Sequence, residues 1–426
     1  MNEDPGAPNY DPQHKIIRSL FNGSRGPLMR KTTALDWTGD PIEIEHRFAL
    51  GHGERSYKEM LAHFEDYNDI VGDHPLNLLA TTLALNAYML AHEPKYKRWL
   101  LEYVDAWRER MIQNGGIIPS NIGLDGTIGG ETGGKWYGGT YGWGFTVIVP
   151  QTGAPAHRNR EARSFVGFLN AYYLTGDDRY LDVWRKQADV INAQGKVING
   201  KLMTPRMYGD DGWYGYVPGR YTSNSLEIYY LSMKRDDLRR TPMTGWLTFL
   251  EGHYPDYPEQ ALRADLARVR DRIAGMRTDK TTPDTRLADD PMKYNPASVT
   301  SLINLMLGGV HITRKGSILP CRLRYFDPVR RRAGIPEDVA ALVERLTDDE
   351  TVVTLVNVNQ IEPRTLIMQA GGYAENQFIS MSVDGKPIPV DGTAATIHLE
   401  PGCGSRLVIK MNRFVNQPSL MFPWNR

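Results

Sequence analysis

The chain has 426 residues, 41% of them hydrophobic and 23% charged, with fifty basic and fifty acidic side chains and so a formal net charge of zero. That length allows a large domain plus a smaller one, each with a real core. No apolar run reaches bilayer-spanning length, and the charge balance offers no overall field for nucleic acid or an anionic membrane.

The first residues, MNEDPGAPNYDPQHK, are acidic and polar and lack the basic-then-apolar pattern of a signal peptide. This predicts a cytoplasmic chain as it stands, or a secreted or periplasmic one if a leader has been cut. Residues 1–60 show no readable element. The first strong signal is HPLNLLATTLALNAYMLAH, residues 74–92, where Leu76, Leu79, Leu83, Ala87 and Leu90 fall at helical spacing on an almost wholly apolar segment. It predicts a helix enclosed by others. Pro94 then opens EPKYKRWLLEYVDAWRERMI, whose stripe of Trp99, Leu100, Tyr103, Val104, Trp107 and Met111 predicts an outer helix packed on the first.

The pair recurs in REARSFVGFLNAYYLTGDDRYLDVWRKQADVI, where an apolar helix runs through a Gly-Asp turn into an amphipathic one. Placing Tyr88-Met89-Leu90 over Tyr172-Tyr173-Leu174 also places Tyr96 over Tyr180, which reads as an internal repeat. A third copy joins SNSLEIYYLSM to residues 258–276 across a long insertion. A fourth inner helix, NPASVTSLINLMLGG, starts after Pro296 and stops at Gly308 and Gly309. Downstream, ETVVTLVNVNQIEPRTLIMQAGG, QFISMSVDGKPIPV and ATIHLEPGCGSRLVIKM alternate in period two between Asp-Gly and Pro-Gly turns, the pattern of an antiparallel β-sandwich. The expected architecture is a mainly α, (α/α) toroid followed by a β-sandwich, with segments at 1–60, 61–312 (toroid), 313–350 (linker) and 351–426 (sandwich). The basic run Arg330 to Arg332 reads as part of the solvated linker.

The hairpin YYLTGDDRYLDVWRKQAD resembles the unit repeated in the six-hairpin (α/α) toroid carbohydrate enzymes, a superfamily of glycoside hydrolases, polysaccharide lyases and sugar epimerases. DDGWYGY is similar to the Asp-Asp-Gly-Trp-Trp loop of its endo-mannanase-like members, whose adjacent aspartates are catalytic. The resemblance spans residues 74–310 and implies glycosidic-bond cleavage. Fewer than four hairpins can be read against six, which leaves a shortened ring or further helices within residues 1–60.

If the inner helices lie side by side, the loops before them open at one end. They are HFEDYNDIVGDH, with Glu65, Asp66, Asp69, Asp73 and His74; the stretch from GGETGGKWYGG to HRN; MYGDDGWYGYVPGRYTS; and TRLADDPMKYN with Asp289 and Asp290. Trp136, Tyr137, Tyr141, Trp143, Trp213, Tyr214 and Tyr216 suit stacking on the apolar faces of sugars, or else anchor the loops to the helices. Asp210 and Asp211, with Glu131, fit the acid and base of hydrolysis, the bland alternative being Asx-turns. Elimination at a uronate would use Tyr214 and His157, with Arg158, Asn159 and Arg220 on the carboxylate; Asp69 and His74 complete the binding set. Hydrolysis is the leading expectation, elimination the second, and a non-catalytic glycan- or protein-binding module the third. The partner is expected to be a carbohydrate. No cofactor or metal is called for, since the histidines and acids lack ligand spacing and the glycine runs lack a following Gly-Lys-Ser/Thr. Cys321 and Cys403, far apart and without CxxC spacing, add neither a disulfide framework nor a zinc knuckle.

Overall fold

The computed structural model describes residues 9–18, 72–148, 154–280, 295–310, 316–383 and 385–426. A short ribbon, β1 (Tyr10–Asp11) and β2 (Ile16–Ile17), precedes a 3-10 turn over Pro75–Ala80. Helices α1 (Thr81–Ala91) and α2 (Pro94–Gln113) form the first hairpin. Strands β3 (Thr146–Ile148) and β4 (Pro155–His157) pair before the second hairpin, α3 (Phe165–Thr175) and α4 (Arg179–Ala193). Next come β5 (Lys196–Ile198), β6 (Lys201–Thr204), β7 (Met207–Gly209), β8 (Gly212–Tyr214) and β9 (Val217–Pro218), with β5-β6-β9 in one small sheet and β7-β8 a hairpin. The remaining helices are α5 (Ser225–Ser232), α6 (Arg235–Arg240), α7 (Gly245–Leu250), α8 (Tyr257–Thr278) and α9 (Thr300–Leu307).

The C-terminal region holds β10 (Leu323–Asp327), β11 (Arg332–Ala333), β12 (Val339–Leu346), β13 (Glu350–Asn357), β14 (Arg364–Ala370), β15 (Gln377–Val383), β16 (Lys386–Gly392), β17 (Ala394–Leu399) and β18 (Gly404–Asn412). They make two antiparallel sheets, β11-β10-β14-β17 and β12-β13-β18-β15-β16. Along β18 the inward Leu407, Ile409 and Met411 are buried and alternate with more accessible residues, as one covered sheet face requires. Strands β10 to β12 fall within 313–350, the stretch read as linker, because Tyr325, Phe326, Val339 and Val343 are core residues there. Arg332 sits in β11, while Arg330 pairs with Glu337 at the surface.

Helix accounts for 36% and strand for 25% of the described residues, which corrects the mainly α toroid. The departure has a visible cause in packing. Helix α3 is buried from Phe165 to Leu174, as an inner helix should be. Helix α1 is not enclosed, since Leu83 and Leu90 are 75% and 72% exposed. The outer partner of α5 is the six-residue α6 and not residues 258–276, which form α8 and pack on α9 and α7. Helix α9 lies against β12, and Tyr325 Oη donates to the Met306 carbonyl at 2.9 Å. After the second long hairpin α5 pairs with the short α6, and α7 and α9 pack on β12, so the described residues do not continue a ring of long hairpins.

The repeat survives at the helix ends. His92, Gly176 and Met233 adopt left-handed φ values of 54°, 65° and 54° at the ends of α1, α3 and α5. Each donates its N–H to a tyrosine carbonyl four residues earlier: Tyr88 at 2.7 Å, Tyr172 at 2.7 Å and Tyr229 at 2.6 Å. This is the single-bond left-handed cap, which satisfies a carbonyl that the helix leaves open. The segment after β18 then crosses these three ends. Arg413 donates to the Tyr230 and Leu231 carbonyls at 3.0 and 2.7 Å. Phe414 packs edge-on against Tyr172 and Tyr173, Tyr88 donates to Gln417 at 2.8 Å, and Leu420 N–H reaches the Met89 carbonyl at 3.0 Å.

Candidate functional site

The opposite, N-terminal ends of the inner helices carry the loops with the unusual composition. Residues 118–146 are anchored from below. Asp73 and Ile122 exchange backbone hydrogen bonds at 2.7 and 2.8 Å, Ser120 N–H donates to the Trp136 carbonyl at 2.7 Å, and Trp143 N–H donates to Ser120 Oγ at 2.8 Å. Trp143 is 1% exposed, with its indole N–H on the Ile118 carbonyl at 2.9 Å. It belongs to the core and offers no face to a sugar.

The β7-β8 hairpin docks on this loop. Its register sets Tyr208 opposite Trp213 on one face and puts Met207 and Tyr214 on the other. Tyr208 and Trp213 meet at 5.1 Å and extend a ring cluster through Trp136 (4.7 Å from Tyr208), Tyr137 (5.1 Å from Tyr208) and Trp143 (5.7 Å from Trp213). Gly144 permits the close docking: a Cβ there would stand 3.1 Å from the Tyr137 carbonyl oxygen and 3.2 Å from that of Tyr208.

Between loop and hairpin lies an open cleft of about 440 Å³, lined by Thr132, Lys135, Tyr137, Gly144, Phe145 and Asp210 among others. Asp210 and Asp211 form the hairpin tip, and Gly212 at φ 90° supplies the left-handed residue that lets the chain return. Asp210 accepts from Lys135 Nζ at 2.9 Å and from the Tyr137 hydroxyl. These two donors, Lys135 foremost, hold its carboxyl below the usual carboxylate range. Asp211 is exposed beside it. Neither aspartate caps a helix.

On the other face of the hairpin a second cluster assembles. Thr146 and His157 are directly paired across β3 and β4. The Thr146 hydroxyl lies 2.9 Å from His157 Nδ1 and 3.0 Å from the Tyr214 hydroxyl, and the His157 and Tyr214 rings meet edge to face at 5.4 Å. Tyr214 Oη also approaches the Gly144 carbonyl at 3.5 Å, so this cluster adjoins the cleft. Arg158 follows His157, its N–H bonded to the Phe145 carbonyl at 3.0 Å.

The other expected residues lie elsewhere. Asn159 staples backbone, donating to the Arg206 carbonyl at 3.1 Å and accepting from Glu161 N–H at 3.0 Å. Arg220 lines a small crevice with Arg185, Asn192 and Tyr221, because β9 carries it toward α4. Tyr216 stands under Lys196, 4.8 Å from its ring centre. Glu131 is exposed and accepts from Leu124 N–H at 3.2 Å. His74 is 5% exposed, and burial pushes its imidazole down to about 4. Its neighbour Asp73 is fully buried, accepting from Ile17 N–H, His74 N–H, Asn77 Nδ2 and Tyr103 Oη at 2.7 to 2.9 Å, while burial raises it to about 6. Both serve the core. Asp69, Glu65, Asp66, Asp289 and Asp290 lie outside the described residues.

The sequence did not single out Thr146 or Glu161. Glu161 is 3% exposed, its carboxyl raised well above the usual range by burial, with Ser120 Oγ 3.4 Å away. It supports the loop from beneath through Ser120. Among the described residues no group of three or more histidines, cysteines and acids could hold a metal ion, and no helix is long and apolar enough to cross a membrane.

No curated protein matches the sequence. Residues 1–201 and 239–303, more than half of the chain, match a family described as a domain of unknown function, DUF8034. The chain belongs to that family, and the matched segments flank residues 202–238, which carry the β7-β8 hairpin.

Proposed function

We propose that this member of the DUF8034 family is a carbohydrate-active enzyme that binds a uronate-containing glycan in the open cleft and cleaves it by β-elimination. The observation that carries the reading is the Thr146 hydroxyl placed between His157 Nδ1 at 2.9 Å and the Tyr214 hydroxyl at 3.0 Å. Those contacts suit a proton relay. With Nδ1–H donating to Thr146 and Thr146 O–H donating to Tyr214, the His157 Nε2 is bare and the phenol proton, held only by the long 3.5 Å contact to the Gly144 carbonyl, can be given up. Nε2 takes the proton from the carbon α to the uronate carboxylate. The electron pair left behind forms a C4–C5 double bond, the C4–O bond to the leaving sugar breaks, and the departing oxygen takes the Tyr214 proton. The Nδ1 proton of the imidazolium then passes through Thr146 to the tyrosinate, and loss of the Nε2 proton to solvent with reprotonation at Nδ1 restores the starting tautomer.

Paired-carboxylate hydrolysis has less support. A general acid needs a raised pKa, whereas Asp210 is held ionised, and it is the only carboxylate among the described lining residues. The half-buried Trp136, Tyr137 and Trp213 provide ring surface beside the cleft.

The test is incubation with polygalacturonate, alginate and glucuronate-containing polymers while following the unsaturated-uronate absorbance. Wild type should raise it and Tyr214→Phe should not. New reducing ends without that absorbance would replace elimination with hydrolysis, and tight binding without product would leave a glycan-binding module.

A further inference from the structure

We infer that Lys135 and Tyr137 form a carboxylate-binding subsite that Asp210 fills in the free protein and that a carboxylate of the bound ligand takes over. That the incoming group is a uronate rests on the function proposed above; that the subsite accepts carboxylate does not. Asp210 presents both oxygens to the pair. Oδ1 accepts from the Tyr137 hydroxyl and lies 2.8 Å from Lys135 Nζ, and Oδ2 accepts from the same ammonium at 2.9 Å. An acidic sugar carries the same two-oxygen group and can be held by the same two donors.

Three features make Asp210 a replaceable occupant. The side chains of Lys135 and Asp210 are 51% and 68% exposed, so their pair contributes little stability and is readily exchanged. The tip that carries Asp210 is lightly held: nothing stands within 4 Å of a Cβ built on Gly212, and the hairpin is fixed to the loop through Tyr208 and Trp213 behind the tip. The subsite also opens onto the cleft, where Lys135 is the one cation among the described lining residues. Asp210 in turn pushes the Tyr137 phenol upward, which keeps it a hydrogen-bond donor. Tyr137 and the relay are linked through Gly144, whose N–H donates to the Tyr137 carbonyl at 2.9 Å while its own carbonyl faces Tyr214 Oη at 3.5 Å.

The experiment is calorimetric titration at low salt of the full chain and of Asp210→Ala, Asp210→Asn and Lys135→Met with trigalacturonate, with its methyl ester, and with glucuronate alone. Removing the internal competitor should tighten trigalacturonate and glucuronate about fivefold in Asp210→Ala, with a smaller gain in Asp210→Asn and no change for the ester. Lys135→Met should weaken the acids about tenfold and spare the ester. Unchanged or weaker acid binding in Asp210→Ala, in a variant that melts like wild type, would overturn the inference. Glucuronate separates the two proposals: a gain in Asp210→Ala upholds the subsite even if no polymer is ever cleaved, and cleavage without that gain upholds the enzyme and discards the subsite.

Discussion

The two ends of the inner helices α1, α3 and α5 are built on opposite terms. At their C-terminal ends each helix stops on the same left-handed cap, and one extended segment carrying Arg413, Phe414, Gln417 and Leu420 ties all three together. At their N-terminal ends no side-chain hydrogen bond caps the helices, and the loops ahead of α3 and α5 bring aromatic and acidic groups to an open cleft, with His157 beside it. Regular backbone and repeated contacts secure one end, which frees the other to hold irregular chain and exposed polar groups at little risk to the fold.

The contrast can be broken by substitutions that move function without stability, or the reverse. The largest effect expected is on catalysis: Tyr214→Phe should cut the rate of unsaturated-product formation by about 10²- to 10⁴-fold with the melting temperature unchanged. A parallel fall in melting temperature would make Tyr214 a structural residue and erase the distinction. The buried His74 gives the next effect. Its folded pKa is lowered to about 4 from 6.5, so its contribution is present above pH 6.5 and lost as pH falls toward 4. Asp73, raised to about 6, works in the opposite sense below pH 6. Comparison with His74→Gln isolates the histidine: the wild-type advantage in unfolding free energy should shrink by about 3 kcal/mol between pH 7 and 4 in denaturant titrations. At the other end, Phe414→Ala should remove about 2 kcal/mol of stability, because a half-buried ring loses its edge contacts with Tyr172 and Tyr173, while ligand affinity stays constant. The smallest change is Tyr88→Phe, about 1 kcal/mol, for one hydrogen bond to Gln417.

Much of the secondary structure is legible in the sequence, and the reasons are local. The stripe of Leu100, Tyr103, Val104, Trp107 and Met111 is the buried face of α2, and the period-two runs after residue 350 are strands. Periodicity states that a segment is helical, yet it cannot state how many neighbours the helix has. Leu83 and Leu90 look like core residues and are exposed, while residues 258–276 look like the partner of α5 and pack instead against α7 and α9. The two- to four-residue strands between 196 and 218 were invisible because a run so short has no measurable period. In the candidate site the aromatic enrichment was readable, and so was the nearness of the 129–145 and 207–214 loops. The roles of individual residues were not. Trp143 and Trp213 look alike in sequence, and only the 1% exposure of Trp143 assigns it to the interior. Thr146 gained its place by standing opposite His157 in a strand pair, and Glu161 by meeting Ser120 forty-one residues away.

The strap over the helix ends has a consequence for how the protein is made. Tyr88 and Gln417 are 329 residues apart, so at about 5 to 20 residues per second the ribosome delivers the covering segment roughly a quarter to a full minute after the first hairpin has emerged. Throughout that interval the ends of α1 and α3 wait uncapped by their eventual lid. Chaperone occupancy during synthesis should therefore concentrate on the first hairpins and fall away only when residues 413–420 arrive.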